Sequence, residues 1–394
     1  MFKRALFFTI EKHLSHKNAI VITGMRQVGK TTLMKQLAAE WQGKQIWFDF
    51  DNPLDQMLFE NADYNKIYND LCHATGAKAD ERFLVCIDEI QNFPEITTII
   101  KYLIDHYQVK FLVTGSSNYY LRNLFPESLS GRKFLFVLNP LSFREFLYFN
   151  EQLPDSKIQP NFAEVIQQHS KYNQLKRMEL FEQYMNFGGF PEVVLTHDRE
   201  TKTLILKNIF ASFFEKDIKV FSQLKDIKEL RDLILLLGPR NGNMLDVTRL
   251  SSELGISRMK IYNYLEFLEG IFFLRLIPKH TANIDRSIAG GKKVYFSDTG
   301  ILNLITKTSP GQLLETTVAN QLLHYGNLSY YNLRNTAEID FILNNNIALE
   351  VKQKAIKQDL YKLEKLATKL EIPEYYILSN TPETKEKIIF PWFL

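Results

Sequence analysis

Gly24-Met25-Arg26-Gln27-Val28-Gly29-Lys30-Thr31 matches G-x-x-x-x-G-K-[ST] at every fixed position. The apolar run Ala19-Ile20-Val21-Ile22 before it reads as a buried strand, and Thr32-Leu33-Met34-Lys35-Gln36-Leu37-Ala38-Ala39-Glu40 after it reads as a helix. Strand, glycine loop and helix in that order make a phosphate cradle. The glycines let the chain curl so that its N–H groups converge on phosphate oxygens, and the helix N-terminus adds its dipole. Lys30 is placed for the β- and γ-phosphates and the Thr31 hydroxyl for Mg²⁺. Gly24, Gln27, Val28, Gly29, Lys30, Thr31 and Thr32 are the expected nucleotide contacts, with ATP or ADP and Mg²⁺ as ligands.

Working outward, Phe83-Leu84-Val85-Cys86-Ile87-Asp88-Glu89 is an apolar run that ends in two acids, about 58 residues after Lys30. A buried parallel strand delivers carboxylates to the edge of a nucleotide site in this way. Asp88 is the candidate for the Mg²⁺ shell and Glu89 for polarising the attacking water. A third strand, Lys110-Phe111-Leu112-Val113-Thr114, runs into Gly115-Ser116-Ser117-Asn118. Ser116 and Ser117 suit sensing of the γ-phosphate, and equally suit capping of the next helix.

These motifs continue in order with Leu129-Ser130-Gly131-Arg132, Pro140-Leu141-Ser142-Phe143-Arg144-Glu145-Phe146 and Phe187-Gly188-Gly189-Phe190-Pro191-Glu192. Over essentially the whole chain the set closely resembles prokaryotic AAA-type ATPases of the archaeal-ATPase group, which carry an uncharacterised C-terminal domain. The resemblance implies an AAA-type core followed by a lid at the Phe-Gly-Gly-Phe-Pro turn. Two readings of Arg132 stand: a finger or sensor on the γ-phosphate, in its own subunit or a neighbouring one of a homo-oligomer, and a surface salt bridge. Arg26 is expected to pack or pair beside the site.

The C-terminal half carries two further patterns. Leu204, Ile205, Ile209, Phe213 and Phe214 are spaced as one helix face, and Gly238-Pro239-Arg240-Asn241-Gly242-Asn243 breaks the chain. Asp246 then caps a short helix, Gly255-Ile256-Ser257 turns, and a second helix buries Ile261, Leu265 and Leu268 while exposing Arg258, Lys260 and Asn263. With Ile271–Ile277 and Lys292–Phe296 as a hairpin, this is the order of a winged helix. Its second helix either enters a major groove of double-stranded DNA or serves protein contacts.

Beyond it, Glu338-Ile339-Asp340-Phe341-Ile342-Leu343 and Ala348-Leu349-Glu350-Val351-Lys352 read as a hairpin, preceded by Glu315 on a helix over Gln312–His324. Alternate strand residues share a face, so Glu350 and Lys352 point together, beside Asp340. This is the PD-(D/E)xK nuclease arrangement without its proline. Asp340, Glu350 and Glu315 are the expected Mg²⁺ ligands, and Lys352 would steady or deprotonate the attacking water. The alternative is a degenerate, non-cleaving scaffold.

The 394 residues are 45% hydrophobic and 24% charged, with 48 basic against 45 acidic side chains, a net charge of +3. That balance neither demands nor excludes nucleic acid. Two cysteines, Cys72 and Cys86, suggest no disulfide framework and so a reducing cytoplasm. The apolar stretch near Phe7 is too short for a signal peptide, and no run approaches a membrane span. The expectation is an α/β protein. A P-loop NTPase parallel sheet of AAA type occupies 1–150, a helical lid and linker 151–237, a winged helix 238–298, and a small α/β nuclease-like domain 299–394. Either two chemistries act together, ATP hydrolysis and DNA cleavage, or the nucleotide switches a binding module.

Overall fold

The computed structural model describes residues 2–78, 81–115, 131–159, 161–167, 174–217, 224–281, 291–333, 337–382 and 387–394. They form two compact units, residues 1–139 with 270–272, and residues 140–269 with 273–394.

The first unit is built on five parallel strands: β1 (Ala19–Thr23), β2 (Gln45–Asp49), β3 (Leu84–Asp88), β4 (Lys110–Gly115) and β5 (Lys133–Val137). Their order across the sheet is β2-β3-β4-β1-β5. β1 and β4 are buried along their whole length, which explains the apolar runs Ala19-Ile20-Val21-Ile22 and Phe111-Leu112-Val113 within them. The helices Tyr64–Thr75 and Ile96–Tyr107 cover the sheet with Ile67, Leu71, Ile99, Ile100 and Leu103, against Val85, Ile87, Phe111 and Val113. The strand order sets β4 between β1 and β3, so the residues after β1 and those ending β3 face each other across the tip of β4.

The second unit begins at Pro140, ahead of the boundary at 150 drawn from sequence. Its first helix, Phe143–Phe149, is closed by a capping box in which Ser142 and Glu145 bond each other's backbone N–H. Phe143 then packs on Phe181 and Tyr184 of the helix Gln174–Phe187. The Gly-Gly turn meets this segment directly. Leu141 N donates to Gly189 O at 2.7 Å, and Gly189 N donates to the buried Asp298 carboxylate at 2.8 Å. On the helix Arg199–Ser212 the buried positions are Lys202, Leu206 and Ile209, whereas Leu204 is exposed. The inward stripe is therefore shifted from the face drawn from sequence, because the Lys202 stem is covered and its ammonium lies over the Phe187 ring.

Further on, the helices Leu224–Leu237, Val247–Leu254 and Arg258–Gly270 precede an antiparallel pair, β6 (Leu274–Pro278) and β7 (Lys292–Phe296). Met244 bridges to Lys293 of β7 in antiparallel sense. The last sheet runs β12-β11-β10-β9-β8, from β8 (Leu328–Leu333), β9 (Ala337–Leu343), β10 (Ile347–Ala355), β11 (Glu374–Pro382) and β12 (Ile388–Ile389). It is mixed: β8, β9 and β10 pair antiparallel, and β10, β11 and β12 parallel, with the helix Lys357–Lys369 as the crossover. Asn344 and Asn345, both at positive φ, turn β9 into β10.

The Gly189 contact generates a test. A Cβ there would stand 2.3 Å from Leu141 O and 2.9 Å from Leu141 N, both backbone atoms that cannot swing aside. Gly189→Ala is expected to destabilise the second unit by roughly 2 kcal/mol or more, read as a shifted urea midpoint. Gly311→Ala, where a Cβ meets nothing within 4 Å, should leave the midpoint in place.

Candidate functional site

The P-loop closes on backbone geometry. Gly24 has φ +148° and a Cβ there would lie 2.1 Å from Leu138 O, so the strand and the segment after β5 can meet only at a glycine. Gly29 caps the helix Lys30–Ala39 with φ 93°. Lys30 is buried, and its ammonium donates to the loop's own carbonyls, Gly24 O at 3.1 Å and Met25 O at 2.8 Å. Gln27, at φ 63°, and Thr32 are exposed, while Val28 is buried. Sequence reasoning missed Arg4. Its buried guanidinium donates to Val28 O and to Asn139 O, each at 2.8 Å, and so clamps the loop from behind. An arginine before a short helix carries no motif, which is why it went unread.

Across the β4 tip, the Thr31 hydroxyl donates to Asp88 Oδ2 at 2.6 Å and the Thr114 hydroxyl donates to Asp88 Oδ1. Glu89 N donates back to Thr114 Oγ1 at 3.3 Å. Thr114 is thus a member of the site that sequence showed only as the end of a strand. Glu89 sits at φ 53°, a conformation non-glycine residues rarely hold outside constrained sites. Its carboxylate lies 3.9 Å from the Arg26 guanidinium and accepts from the Gln91 amide. Ser116 and Ser117 lie outside the described residues. Arg132 stands at the start of β5, where its carbonyl accepts from Ala19 N at the head of β1. The loop leaves the other end of β1, roughly 16 Å away at the rise of a strand. The structure does not bring Arg132 to the loop of its own chain; its Nε donates to Asp105 Oδ1 at 2.6 Å and Oδ2 at 2.8 Å.

In the second unit the structure brings Glu315, Asp340, Glu350 and Lys352 together. Continuing the β9–β10 register sets Glu350 opposite Asp340. There the Asp340 carboxylate accepts from Val351 N at 2.8 Å, and Lys352 Nζ lies 2.7 Å from Glu350 Oε1. Glu315, on the helix Pro310–Leu322, accepts from Tyr295 Oη at 2.6 Å. Burial, then the charge of Asp340, pushes Glu315 up to about 7 and Glu350 up to about 8. Burial also raises Asp340. Three members went unread: Lys293, Tyr295 and Glu338. Lys293 lies 2.7 Å from Glu338 Oε1 and 3.7 Å from Glu315 Oε1. Of the Mg²⁺ ligands expected here, Glu315 faces Lys293 and Glu350 faces Lys352. One expectation is corrected. Lys260 does not stand free on its helix, since its ammonium lies 2.6 Å from Asp226 and 2.5 Å from Glu229. Arg258 and Asn263 are exposed as expected.

Residues 16–147 match the family model described as an AAA domain. This segment has the P-loop NTPase fold and is similar to AAA domains. Residues 178–312 and 310–391 match two models described as domains of unknown function. A protein of Methanocaldococcus jannaschii is 26% identical over 376 residues, 93% of this chain and 80% of that one. A Haemophilus influenzae protein is 27% identical over 335 residues, 82% of this chain and 78% of its own. The solved Walker-type ATPase of Pyrococcus abyssi superposes with a TM-score of 0.51 at 16% identity, over 77% of this chain and 96% of that one. That likeness supports the P-loop NTPase fold. No helix among the described residues is long and apolar enough to cross a membrane.

The residues of the P-loop domain fit a magnesium nucleotide. Thr31 and Asp88 oxygens are already side by side, and the buried Lys30 ammonium donates to loop carbonyls that phosphate oxygens outbid. Lys30→Ala is expected to weaken ATP binding tenfold to hundredfold, since a charge-assisted hydrogen bond is worth roughly 1.5–3 kcal/mol. Calorimetry with ATP checks it, and unchanged affinity would refute the loop's role.

Proposed function

We propose that this chain binds and hydrolyses ATP at the P-loop and acts on double-stranded DNA through its C-terminal half. The observation that carries the first part is the Thr31–Asp88 contact at 2.6 Å with Glu89 next in the chain. In this reading Lys30 and the loop N–H groups bind the phosphates, and Thr31 and Asp88 hold Mg²⁺. Bound Mg²⁺ supplies neutralisation of phosphate charge. Glu89 orients the attacking water and accepts its proton. Arg26, 3.9 Å from Glu89, is positioned to hold that carboxylate near the loop. A homo-oligomer is the assembly in which Arg132 would reach a γ-phosphate, that of a neighbouring subunit.

Support for the second part is the element order in residues 224–296. Three helices, a bridge from Met244 to Lys293 and the β6–β7 pair follow one another as in a winged helix. The helix Arg258–Gly270 would then be the groove reader, using Arg258 and Asn263. The sheet from β8 to β12, with its acid–lysine cluster, reads as a nuclease-like scaffold that binds without cutting. One observation favours a protein partner instead: Met259 and Tyr262 are exposed on that same helix.

Two measurements test this. Glu89→Gln should keep ATP binding and lower turnover by roughly 10²–10⁴-fold; unchanged turnover would place the base elsewhere. Arg258→Glu should weaken duplex binding and reduce its salt slope by about 1, measured by fluorescence anisotropy. A parent protein that binds no duplex at low salt would leave the protein-contact reading.

A further inference from the structure

Lys293 is a lysine with only 6% of its side chain exposed. It comes from β7, whereas the acids around it come from elsewhere: Glu315 from the helix Pro310–Leu322, and Glu338 and Asp340 from β9. Burial works against its positive charge. Glu315, Asp340 and Glu338 together outweigh that and hold it above the ordinary lysine range. Lys352 pairs with Glu350 at 2.7 Å. One Asp340 oxygen is committed to Val351 N and one Glu315 oxygen to Tyr295 Oη. Four carboxyl groups are thus met by two ammonium groups, one hydroxyl and one backbone N–H. Each lone pair taken in this way is one that a divalent ion would need, since such ions demand several oxygen ligands at once.

We propose that Lys293 is the resident cation of this cluster: its ammonium occupies the electrostatic position of a metal, and a divalent ion enters only when that ammonium is removed. The reading of the sheet as a nuclease-like scaffold rests on the same residues, but this proposal concerns cation occupancy and is independent of ATP hydrolysis. Its physical basis is that a buried charge left without its partner is strongly unfavourable. Deleting Lys293 removes the one ammonium that acts on Glu315, Glu338 and Asp340 together, and a metal then becomes the compensation. The same ammonium also ties β7 to the helix and to β9, so the strand pair preceding the sheet is anchored through charge.

The test is calorimetric titration of the full chain with Mn²⁺ and no nucleotide. The parent should show no site that Asp340→Asn removes. Lys293→Met should gain one site, at least tenfold tighter than any the parent shows, and Asp340→Asn in that background should remove it. Lys293→Arg, which keeps the cation, should behave as the parent. Two results would overturn the proposal: a parent Mn²⁺ site lost with Asp340→Asn, or a folded Lys293→Met chain that gains none. Should Lys293→Met fail to fold by circular dichroism, the parent comparison decides alone. A site lost with Asp340→Asn sinks the idea, and an unchanged titration supports it.

Discussion

The N-terminal site depends on the two hydrogen bonds that Asp88 accepts. Its carboxylate takes one hydroxyl from Thr31, the last residue of the P-loop motif, and one from Thr114, at the tip of the neighbouring strand. Three strand ends are thereby tied at one point. The tie exists because β4 lies between β1 and β3 in a parallel sheet, so all three chains reach the same edge pointing the same way. A carboxylate at that edge without donors would be a desolvated charge. With both oxygens engaged by hydroxyls that metal ligation can replace, it is a charge held ready. Glu89 beside it is differently kept, facing a guanidinium and an amide on a backbone of positive φ. Adjacent acids thus acquire separate roles from separate partners.

The second unit is organised by close backbone approach. Gly189 lies against Leu141 and bonds Asp298, while Tyr184 Oη donates to Leu141 O and accepts from Gln321. Phe143 N in turn donates to Gln321 Oε1. Segments separated by more than a hundred residues meet in this hub, and each buried polar group in it has a partner. Asp298 carries the strain of burial, which pushes it up to about 6 against the pull of its backbone donors.

Two acidic clusters in one chain are handled in opposite ways. At the P-loop the acids are met by hydroxyl groups, one amide and one largely covered arginine. In the C-terminal sheet they are met by a buried ammonium from another element. The first arrangement leaves oxygens that can be handed to a ligand. The second fills the space with a cation that belongs to the chain itself.

What the sequence determined is what local chemistry dictates. The glycines and lysine of the P-loop, the apolar strands β1, β3 and β4, and the strand alternation that sets Glu350 beside Lys352 all follow from spacing, because period and backbone sterics act over a few residues. Only the tertiary structure decided who pairs with whom. Arg4 behind the loop, Thr114 on Asp88, Lys260 locked to Asp226 and Glu229, and Lys293 among the C-terminal acids are partnerships between residues far apart in the chain. Arg132, beside a suggestive Ser-Gly, was carried to the far edge of its sheet by the direction of β5. A charged side chain's role depends on which opposite charge the fold brings to it, and no periodicity in the sequence encodes that distance.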